Sequence, residues 1–298
     1  MQNKTVVIVC GPTAIGKTGL AIQLAEHFKT KIISADSRQC YQELTIGVAK
    51  PLNEELRQVQ HYFINSHSIH EDVNAAIFEQ YALDAVQQIF QQSNIAIMVG
   101  GTGLYIKAFC EGLDNIPNIP TTIRNAIQQQ YDANGLAWLQ EQVQLKDPEF
   151  WQTAEQQNPH RLIRALEVIE ATGQSINSFR KGEKAQRNFN IIKIGLELSR
   201  DVLYERINHR VDIMLQDGLL EEVKNLIPHK HLNALQTVGY KELFAYLQHE
   251  CTLEAAVEEL KKNTRHYAKR QMTWFKKDSI IQWFAPNQMQ AVIDCIEG

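Results

Sequence analysis

The segment GPTAIGKT, residues 11–18, constrains the fold of this chain more than any other feature. It fits the pattern G-x-x-x-x-G-K-[ST], follows the apolar run TVVIVC directly, and opens a stretch, residues 17–28, with the spacing of a helix. A strand, a glycine-rich turn and a helix in this order form a phosphate-binding loop, or P-loop. The chain is therefore predicted to begin with a buried strand that leads to an anion site.

Each residue type in this segment has a physical role in binding phosphate. Gly11 and Gly16 allow the backbone to curl so that successive amides converge on an anion. Lys17 adds a full positive charge, and the Thr18 hydroxyl can hold a magnesium ion that also contacts the phosphates. The motif does not show which bond breaks, because fuels, donors and leaving groups all carry adjacent phosphates. The predicted diphosphate-binding residues are Gly11, Pro12, Thr13, Ala14, Ile15, Gly16, Lys17 and Thr18.

The first third of the chain alternates short apolar runs with amphipathic stretches, which is typical of a parallel sheet covered by helices on both faces. A helix is predicted at residues 75–90, and the fold class is α/β, a P-loop NTPase-like parallel sheet flanked by helices, with an inserted helical domain. Strands are predicted at residues 5–10, 31–36, 61–66, 95–101, 190–198 and 280–285.

The alternation stops at EGLDNIPNIP, where two prolines and several turn residues predict a boundary. The Gln-rich stretch that follows has helical character. Within it, Asn158 is predicted to cap a helix that Pro159 opens and Gly173 ends. We therefore predict a P-loop catalytic core at residues 1–114 and 190–298 and a helical insertion domain at residues 115–189.

Polar residues follow two of the predicted strands. Asp36 ends the run IISAD, and we expect it at the carboxyl end of a strand neighbouring the P-loop, where open α/β sheets bind ligands. It can be a magnesium ligand, a base or acceptor for an incoming substrate, or a turn residue that caps its own loop. Thr102, in GGTGLY, is expected at the same edge, although a strand followed by two glycines is often only a tight turn.

Charge is unevenly distributed along the chain. The net charge is −4, yet the segment KKNTRHYAKRQMTWFKK, residues 261–277, contains seven Lys or Arg residues and no acidic one. Cations mixed with aromatic residues suit a nucleic acid, whereas the alternative is a solvated basic helix anchored by its aromatic residues. We expect the cations to be functional and both Trp274 and Phe275 to lie in the core.

Two arginine pairs have helical spacing. Arg206 and Arg210 are predicted to share one helix face, as are Arg161 and Arg164. Either pair can bind a further anion, because arginine matches phosphate oxygens well, or can form salt bridges with nearby glutamates.

Several protein classes are disfavoured. The five scattered cysteines lack CxxC spacing, which indicates reduced thiols rather than a disulfide framework or a zinc site. No apolar run approaches membrane-spanning length, and the N-terminal residues are typical of a strand rather than of a signal peptide. A cytoplasmic enzyme is predicted.

Several segments resemble, in order, those of the tRNA dimethylallyltransferase (tRNA isopentenyltransferase) family. The bacterial type is expected, because no Cys/His zinc module is appended. The departures at Arg38, Cys40, Val48 and His160 bear on tRNA contacts rather than on the reaction. The resembling segments, which extend from about residue 5 to 277, are GPTAIGKT, ISADSRQCY, TIGVAKP, VGGTGLYIKA, NPHRLIRALEV, the RxxxR of YERINHR, VGYKE and TRHYAKRQMTWFKK.

The resemblance implies transfer of a dimethylallyl group from dimethylallyl diphosphate to the exocyclic amine of the adenine 3′ of the anticodon, in tRNAs that read U-initial codons. The P-loop would then hold a leaving group, with Mg²⁺ as the cofactor and Thr18 as its protein ligand. The partner would be the tRNA anticodon stem-loop, held by the insertion and by the basic helix, and the protein would be monomeric with no membrane partner.

The catalytic residues would be Asp36, Thr102 and Arg210. The implied tRNA contacts are Asp36, Ser37, Arg38, Gln39, Thr102, Arg124, His160, Arg161, Leu162, Ile163, Arg164, Gln236, Thr237, Val238, Gly239, Tyr240, Lys241, Lys269, Arg270, Gln271, Met272, Thr273, Trp274, Phe275 and Lys276.

Two other functions are compatible with parts of the sequence. A P-loop kinase acting on a small metabolite would explain the first hundred residues but not the basic segment at 261–277. The second is an RNA-binding protein that uses a nucleotide as a switch, without chemistry on RNA. Nucleotide turnover and the mass of tRNA nucleosides separate the three.

Overall fold

A computed structural model describes residues 4–298. Its central feature is a six-stranded parallel sheet with the strand order β3-β2-β4-β1-β5-β6. The predicted α/β class is confirmed, and β2, β3 and β6 are shorter than predicted. The strands are β1 (Thr5–Cys10), β2 (Ile32–Ser34), β3 (His61–Tyr62), β4 (Ile95–Gly100), β5 (Asn190–Leu196) and β6 (Gln282–Phe284).

Thirteen α-helices accompany the sheet within the described residues, and none of them is long and apolar enough to cross a membrane. They are α1 (Lys17–His27), α2 (Asn53–Gln58), α3 (Ala75–Ile89), α4 (Gly103–Glu111), α5 (Thr121–Lys146), α6 (Pro148–Thr153), α7 (Pro159–Thr172), α8 (Ile176–Phe179), α9 (Arg200–Gln216), α10 (Leu219–Asn225), α11 (Tyr240–Leu247), α12 (Leu253–Phe275) and α13 (Met289–Glu297).

The position of β1 explains its continuous apolar sequence. Val6 and Ile8 belong to the hydrophobic cluster on one face of the sheet, and Val7 and Val9 belong to the cluster on the other. All four side chains are fully buried. A strand covered on both faces needs an apolar residue at every position, so β1 reads as an unbroken run and leads into the P-loop from the interior.

The strand order corrects one prediction. β2, which leads to Asp36, does not neighbour β1, because β4 lies between them. Gly100 permits this arrangement, since a Cβ atom there would collide with the Ala35 carbonyl group at the end of β2. The turn that carries Thr102 therefore follows a strand placed between those that lead to Asp36 and to the P-loop.

The chain divides into two compact units. The first contains the sheet, ends at Cys110 and resumes at Gln186, and the second is Glu111–Ala185. The boundaries predicted from the sequence lie a few residues later at both ends.

The second unit is helical and has its own apolar core, which includes Leu139, Leu162 and Leu166. Its helix α7 begins and ends as predicted. The Asn158 side chain accepts a hydrogen bond from the Arg161 N–H group at 3.3 Å, and Gly173 ends the helix with a φ of 69°.

Candidate active site

The P-loop has the backbone geometry that its sequence predicts. Gly11 and Gly16 have φ angles of 141° and 104°, which favour glycine. A Cβ atom on Gly11 would also lie 2.9 Å from the Leu196 carbonyl oxygen of β5. Gly16 precedes α1, whose first amides have no partner within the helix, and the Lys17 ammonium donates a hydrogen bond to the Pro12 carbonyl at 2.7 Å. The backbone of the loop therefore has the geometry that suits an anion.

A cavity of about 580 Å³, called here the P-loop cavity, adjoins the start of α1. Thr18 lines it together with the cations Lys50, Arg206 and Arg210, so the two α9 arginines share a face as predicted. The Arg206 guanidinium also donates a hydrogen bond to the Ile15 carbonyl at 3.3 Å. Glu55 and Asp217 also line the cavity, so its three cations outnumber its two carboxylates. Together with the helix N-terminus, this excess of positive charge suits the cavity to an anion.

Burial changes the acidity of two cations beside the P-loop. Desolvation lowers the pKa of Lys17 from 10.5 to about 8, although Asp36 opposes the shift, and Arg210 lowers this pKa further. Burial also lowers the pKa of Arg210, against the opposing effects of Glu55 and Asp36. Both cations are poorly hydrated, so an arriving anion interacts with them more strongly than with exposed cations.

A second cavity of about 210 Å³, called here the Asp36 cavity, has a mixed lining. Asp36 and Tyr267 contribute polar groups, and the apolar wall is formed by Ile207, Val211, Met214, Leu219, Val238 and Leu260. Ala49, Arg210 and Met214 line both this cavity and the P-loop cavity. A carboxylate, an apolar wall and an anion site are therefore brought together.

Asp36 is held by its own turn. Its Oδ1 atom accepts hydrogen bonds from the backbone N–H groups of Arg38 at 2.9 Å and Gln39 at 3.3 Å. The turn-capping role weighed from the sequence is therefore present, and Asp36 also lines the cavity. The two roles are compatible, because backbone bonds to one oxygen fix the carboxylate in place.

Thr102 and Tyr267 support the same corner. The Thr102 hydroxyl accepts a hydrogen bond from the Ser37 N–H group at 3.1 Å, and it is also paired with the Tyr267 hydroxyl. Burial and then the charge of Asp36 raise the pKa of Tyr267 to about 12. Tyr267 was not among the residues expected at the site. The signal that could have identified it is the helical spacing of Thr264, Tyr267 and Gln271 on α12.

Gln271 links two loops from the interior. Its buried amide accepts a hydrogen bond from the Thr13 N–H group at 2.8 Å and donates one to the Gly101 carbonyl at 2.9 Å. It therefore joins the P-loop to the turn after β4. The sequence expectation of a nucleic-acid contact at this position did not anticipate this internal role.

The aromatic residues of α12 behave differently from each other. Phe275 is buried, as predicted, but Trp274 is 42% exposed, so the prediction that both lie in the core is wrong for Trp274. The edge of its indole lies against Gly103, where a Cβ atom would collide with it. Successive side chains of a helix point about 100° apart, so two neighbouring aromatic residues do not both face the core.

The cations of α12 and of residues 276 and 277, which follow it, include two groups; Arg265, outside both, donates a hydrogen bond to Asn208 at 2.6 Å. Lys261 pairs with Asp212 at 2.8 Å, Lys262 with Glu259 at 3.1 Å and Lys276 with Glu197 at 2.6 Å. The second group consists of Lys269, Arg270 and Lys277, for which no ion pair is found within residues 4–298. Together with His266, Thr273 and Trp274, these cations line an exposed groove, called here the α12 groove.

The predicted cations of the second unit are anchored by acids. The buried carboxylate of Glu167 forms ion pairs with Arg124 and with Arg164, each at 3.1 Å. Arg161 forms an ion pair with Glu155 at 3.0 Å. The salt-bridge alternative is therefore present for both arginines of the α7 pair. Arg124 and Arg161 remain about half exposed, with exposed side-chain fractions of 50% and 54%.

Residues 237–241, for which tRNA contacts are predicted, lie just before α11 and in its first turn. Thr237, Val238 and Gly239 line the Asp36 cavity, and Lys241 is exposed. Tyr240, expected to contact tRNA, is instead fully buried, and its hydroxyl donates a hydrogen bond to Glu222 at 2.7 Å.

The geometry agrees with comparisons to known proteins. The IPP transferase family model matches residues 39–278. The tRNA dimethylallyltransferase of Christiangramia forsetii is 49% identical over 299 residues, which cover 100% of this chain and 99% of the relative.

Two solved structures share the fold. The full-length tRNA isopentenylpyrophosphate transferase of Bacillus halodurans has a TM-score of 0.73 and 34% identity, over 99% of this chain and 96% of that one. A eukaryotic dimethylallyltransferase acting on tRNA has a TM-score of 0.75 and 26% identity, over 96% of this chain and 75% of that one. A P-loop beside a carboxylate-lined apolar cavity, together with these similarities, shows that this chain belongs to the tRNA dimethylallyltransferase (IPP transferase) family of prenyltransferases.

Proposed function

We propose that this enzyme transfers the dimethylallyl group of dimethylallyl diphosphate to the exocyclic amine of the adenine 3′ of the anticodon, in tRNAs that read U-initial codons. The observation that carries the proposal is that Arg210 lines both cavities. One cavity suits a diphosphate and the other suits an apolar chain next to a hydrogen-bond acceptor. The bond between diphosphate and alkyl chain would lie where the cavities meet.

In the proposed reaction the carbon–oxygen bond of the allylic ester breaks and a carbon–nitrogen bond forms. The electron pair of the broken bond leaves with the diphosphate, so negative charge grows on the leaving group. Lys17, Arg210 and the amides of the P-loop stabilise that charge more strongly in the transition state than in the bound donor. Because these groups are already in place, they need little reorganisation during the reaction.

Asp36 is the proposed acceptor of the amine proton. The adenine amine is a weak nucleophile because its lone pair is delocalised into the ring, so a fixed acceptor favours attack. Oδ1 of Asp36 is held by two backbone N–H groups, which orients the carboxylate. Thr102, which bonds to the same turn, helps to position the amine.

The acceptor base must leave the stack of the anticodon loop to reach Asp36. The exposed cations of the α12 groove suit the phosphates of the loop, and Trp274 offers a ring for base stacking. Arg124 and Arg161 on the second unit are further candidates for phosphate contacts. The protein is proposed to act in the cytoplasm as a monomer.

Magnesium is the proposed cofactor. The described residues contain no group of three or more His, Cys, Asp or Glu side chains placed to hold a metal. The available donors still fit Mg²⁺, because this ion is commonly bound by one or two protein oxygens and by substrate phosphates. The Thr18 hydroxyl, which lines the P-loop cavity, would hold it, and the bound ion would neutralise charge on the departing diphosphate.

The experiment that tests the proposal follows one oxygen atom. Purified protein is incubated, without nucleotide, with tRNA and dimethylallyl diphosphate. The donor carries ¹⁸O at the ester oxygen that joins the allylic carbon to phosphorus. We expect one dimethylallyl unit on adenosine by mass spectrometry of tRNA nucleosides, and the label in the released diphosphate. A requirement for stoichiometric ATP would favour the kinase, and unmodified tRNA with tight RNA binding would favour the nucleotide-switched binding protein.

A further inference from the structure

The two cavities share a wall that the reaction scheme above does not explain. Residues 45–49, called here the wall segment, contribute Gly47, Val48 and Ala49 to the Asp36 cavity. The same segment contributes Thr45, Ile46 and Ala49 to the P-loop cavity. The position of this backbone therefore sets the shape of both cavities where they meet.

A single carboxylate holds the wall segment. Glu222 of α10 accepts hydrogen bonds from three successive backbone N–H groups, those of Thr45 at 3.1 Å, Ile46 at 2.7 Å and Gly47 at 3.0 Å. Its Oε1 atom accepts a fourth bond, from the Tyr240 hydroxyl at 2.7 Å. Hydrogen bonds to an ionised acceptor are stronger than neutral ones, so this contact is a firm attachment for a loop.

Tyr240 fixes the other side of this contact. Its side chain is fully buried, and a Cβ atom on Gly47 would lie 2.7 Å from its ring. The wall segment can approach Glu222 only because residue 47 has no side chain. Burial, followed by the charge of Glu222, raises the pKa of Tyr240, so the hydroxyl remains protonated and acts as a donor.

The wall segment is also joined to the turn that holds Asp36. The Gln39 side-chain amide donates hydrogen bonds to the carbonyl groups of Val48 at 3.3 Å and Ala49 at 3.0 Å. The Gln39 backbone N–H group in turn donates to Asp36 Oδ1. A continuous path of hydrogen bonds therefore runs from Glu222 through the wall segment to the proposed proton acceptor.

We propose that Glu222 is a positioning residue for the transfer reaction: it holds the wall segment in the place that aligns the donor carbon with the acceptor amine. It touches neither proposed substrate and acts through residues 45–49 and Gln39. This inference rests on the proposed function. Misplacement of reacting groups by about 1 Å can cost about 100-fold in rate, so a change at Glu222 has its effect on the chemical step.

The test compares Glu222→Gln with Glu221→Gln. The amide keeps the size of Glu222 but presents an NH₂ donor to groups that are themselves donors, so at least one bond is lost. Glu221 precedes it on α10, and its side chain forms an exposed pair with Lys224, so its variant is the matched control. The measurement is the single-turnover rate of prenyl transfer with both substrates saturating, corrected for the folded fraction, together with tRNA affinity.

We expect Glu222→Gln to lower the single-turnover rate at least about tenfold, with tRNA affinity within about twofold of wild type, and Glu221→Gln to match wild type. A rate of the folded protein within about twofold of wild type overturns the inference. If the unchanged enzyme itself fails to transfer, the proposed function is wrong, and that outcome is distinguishable because the wild type is measured alongside.

Tyr240→Phe keeps the test decisive if Glu222→Gln does not fold. This variant retains the ring against Gly47 and removes one of the four donors to Glu222. We expect a smaller loss in rate for this variant alone, about two- to fivefold, and an unchanged rate would contradict the inference. Where Glu222→Gln does fold, the double variant should show almost no further loss. Losses that multiply in the double variant would show that the two residues act independently, and would contradict the inference.

Discussion

Helices α9 and α12 both carry basic residues at helical spacing, but they place them in different surroundings. Arg210 of α9 lies between the two cavities, where burial lowers its pKa. Lys269 and Arg270 of α12, with Lys277 just after it, line an exposed groove. The same kind of charge is therefore used in two ways, one desolvated and one in water.

The two surroundings suit two different tasks, which are the stabilisation of charge during the reaction and the binding of tRNA. A desolvated cation interacts strongly with charge that develops beside it, because little solvent screens the interaction. Exposed cations attract a polyanion mainly through the release of counterions, which makes their effect dependent on salt. Changes near α9 should therefore alter the chemical step, whereas changes in the α12 groove should alter tRNA binding.

The largest effect is expected when the proposed proton acceptor is removed, because only the chemical step should change. Asp36→Ala should lower the single-turnover transfer rate by about 100- to 10,000-fold, because the proton acceptor is lost. Donor and tRNA affinities, measured by titration, should stay within a few-fold of wild type. Full activity in this variant would remove the proton-acceptor assignment.

Arg210→Ala should follow, with a loss of about 100- to 1,000-fold in the single-turnover rate, since charge stabilisation of the leaving group is removed. Its matched control is Arg200→Ala on the same helix, where the guanidinium stacks on Tyr204 at 5.0 Å. The control should keep nearly full activity. If Arg210→Ala weakened tRNA binding instead of transfer, the contrast between the two helices would fail.

A smaller effect is expected in the α12 groove. Replacing Lys269, Arg270 and Lys277 together by Gln should reduce the slope of log K for tRNA against log salt by about two to three, with an unchanged single-turnover rate at saturating tRNA. The comparison variant replaces Lys261 and Lys262, which are already paired with acids. An identical slope in the groove variant and in wild type would show that the groove faces no phosphates.

The smallest effect is a pH dependence in which kcat/KM for the donor falls while the free energy of unfolding rises. Because the pKa of Lys17 is about 8 rather than 10.5, kcat/KM for the donor should fall as pH rises through about 8 and the ammonium loses its proton. The same group binds fewer protons in the folded than in the unfolded protein between pH 8 and 10.5, so its contribution to the free energy of unfolding rises over that window.

Thermal unfolding and kinetics over pH 7–10 check both trends. The Lys17→Met variant should lose the stability rise, because it carries no titrating group at that position. A kcat/KM for the donor that stays level through pH 9 would contradict the perturbed Lys17.

Much of the architecture could be predicted because its signals are local. The P-loop is a contiguous segment whose glycines, lysine and flanking strand all lie within 20 residues of one another, and α7 carries its capping Asn158 and its terminating Gly173 in sequence. Buried parallel strands are also recognisable in the sequence as unbroken apolar runs. Such features depend on neighbouring residues and need no knowledge of the tertiary fold.

The features that sequence reasoning missed depend on contacts between distant segments. The insertion of β4 between β1 and β2 is a choice of strand pairing that local patterns do not encode. The exposure of Trp274 depends on where α12 leaves the core. The hydrogen bonds between Glu222 and residues 45–47 join positions more than 170 residues apart, so no local spacing reveals them.

The measurement that tests the central claim most directly is a crystal structure of the enzyme with a non-reactive thio analogue of dimethylallyl diphosphate and an anticodon stem-loop. We expect the diphosphate on the P-loop amides beside Lys17, the alkyl chain pointing into the Asp36 cavity, and an extruded adenine with its amine bonded to Asp36. A diphosphate lodged away from Lys17, or an adenine amine turned away from that carboxylate, would contradict it.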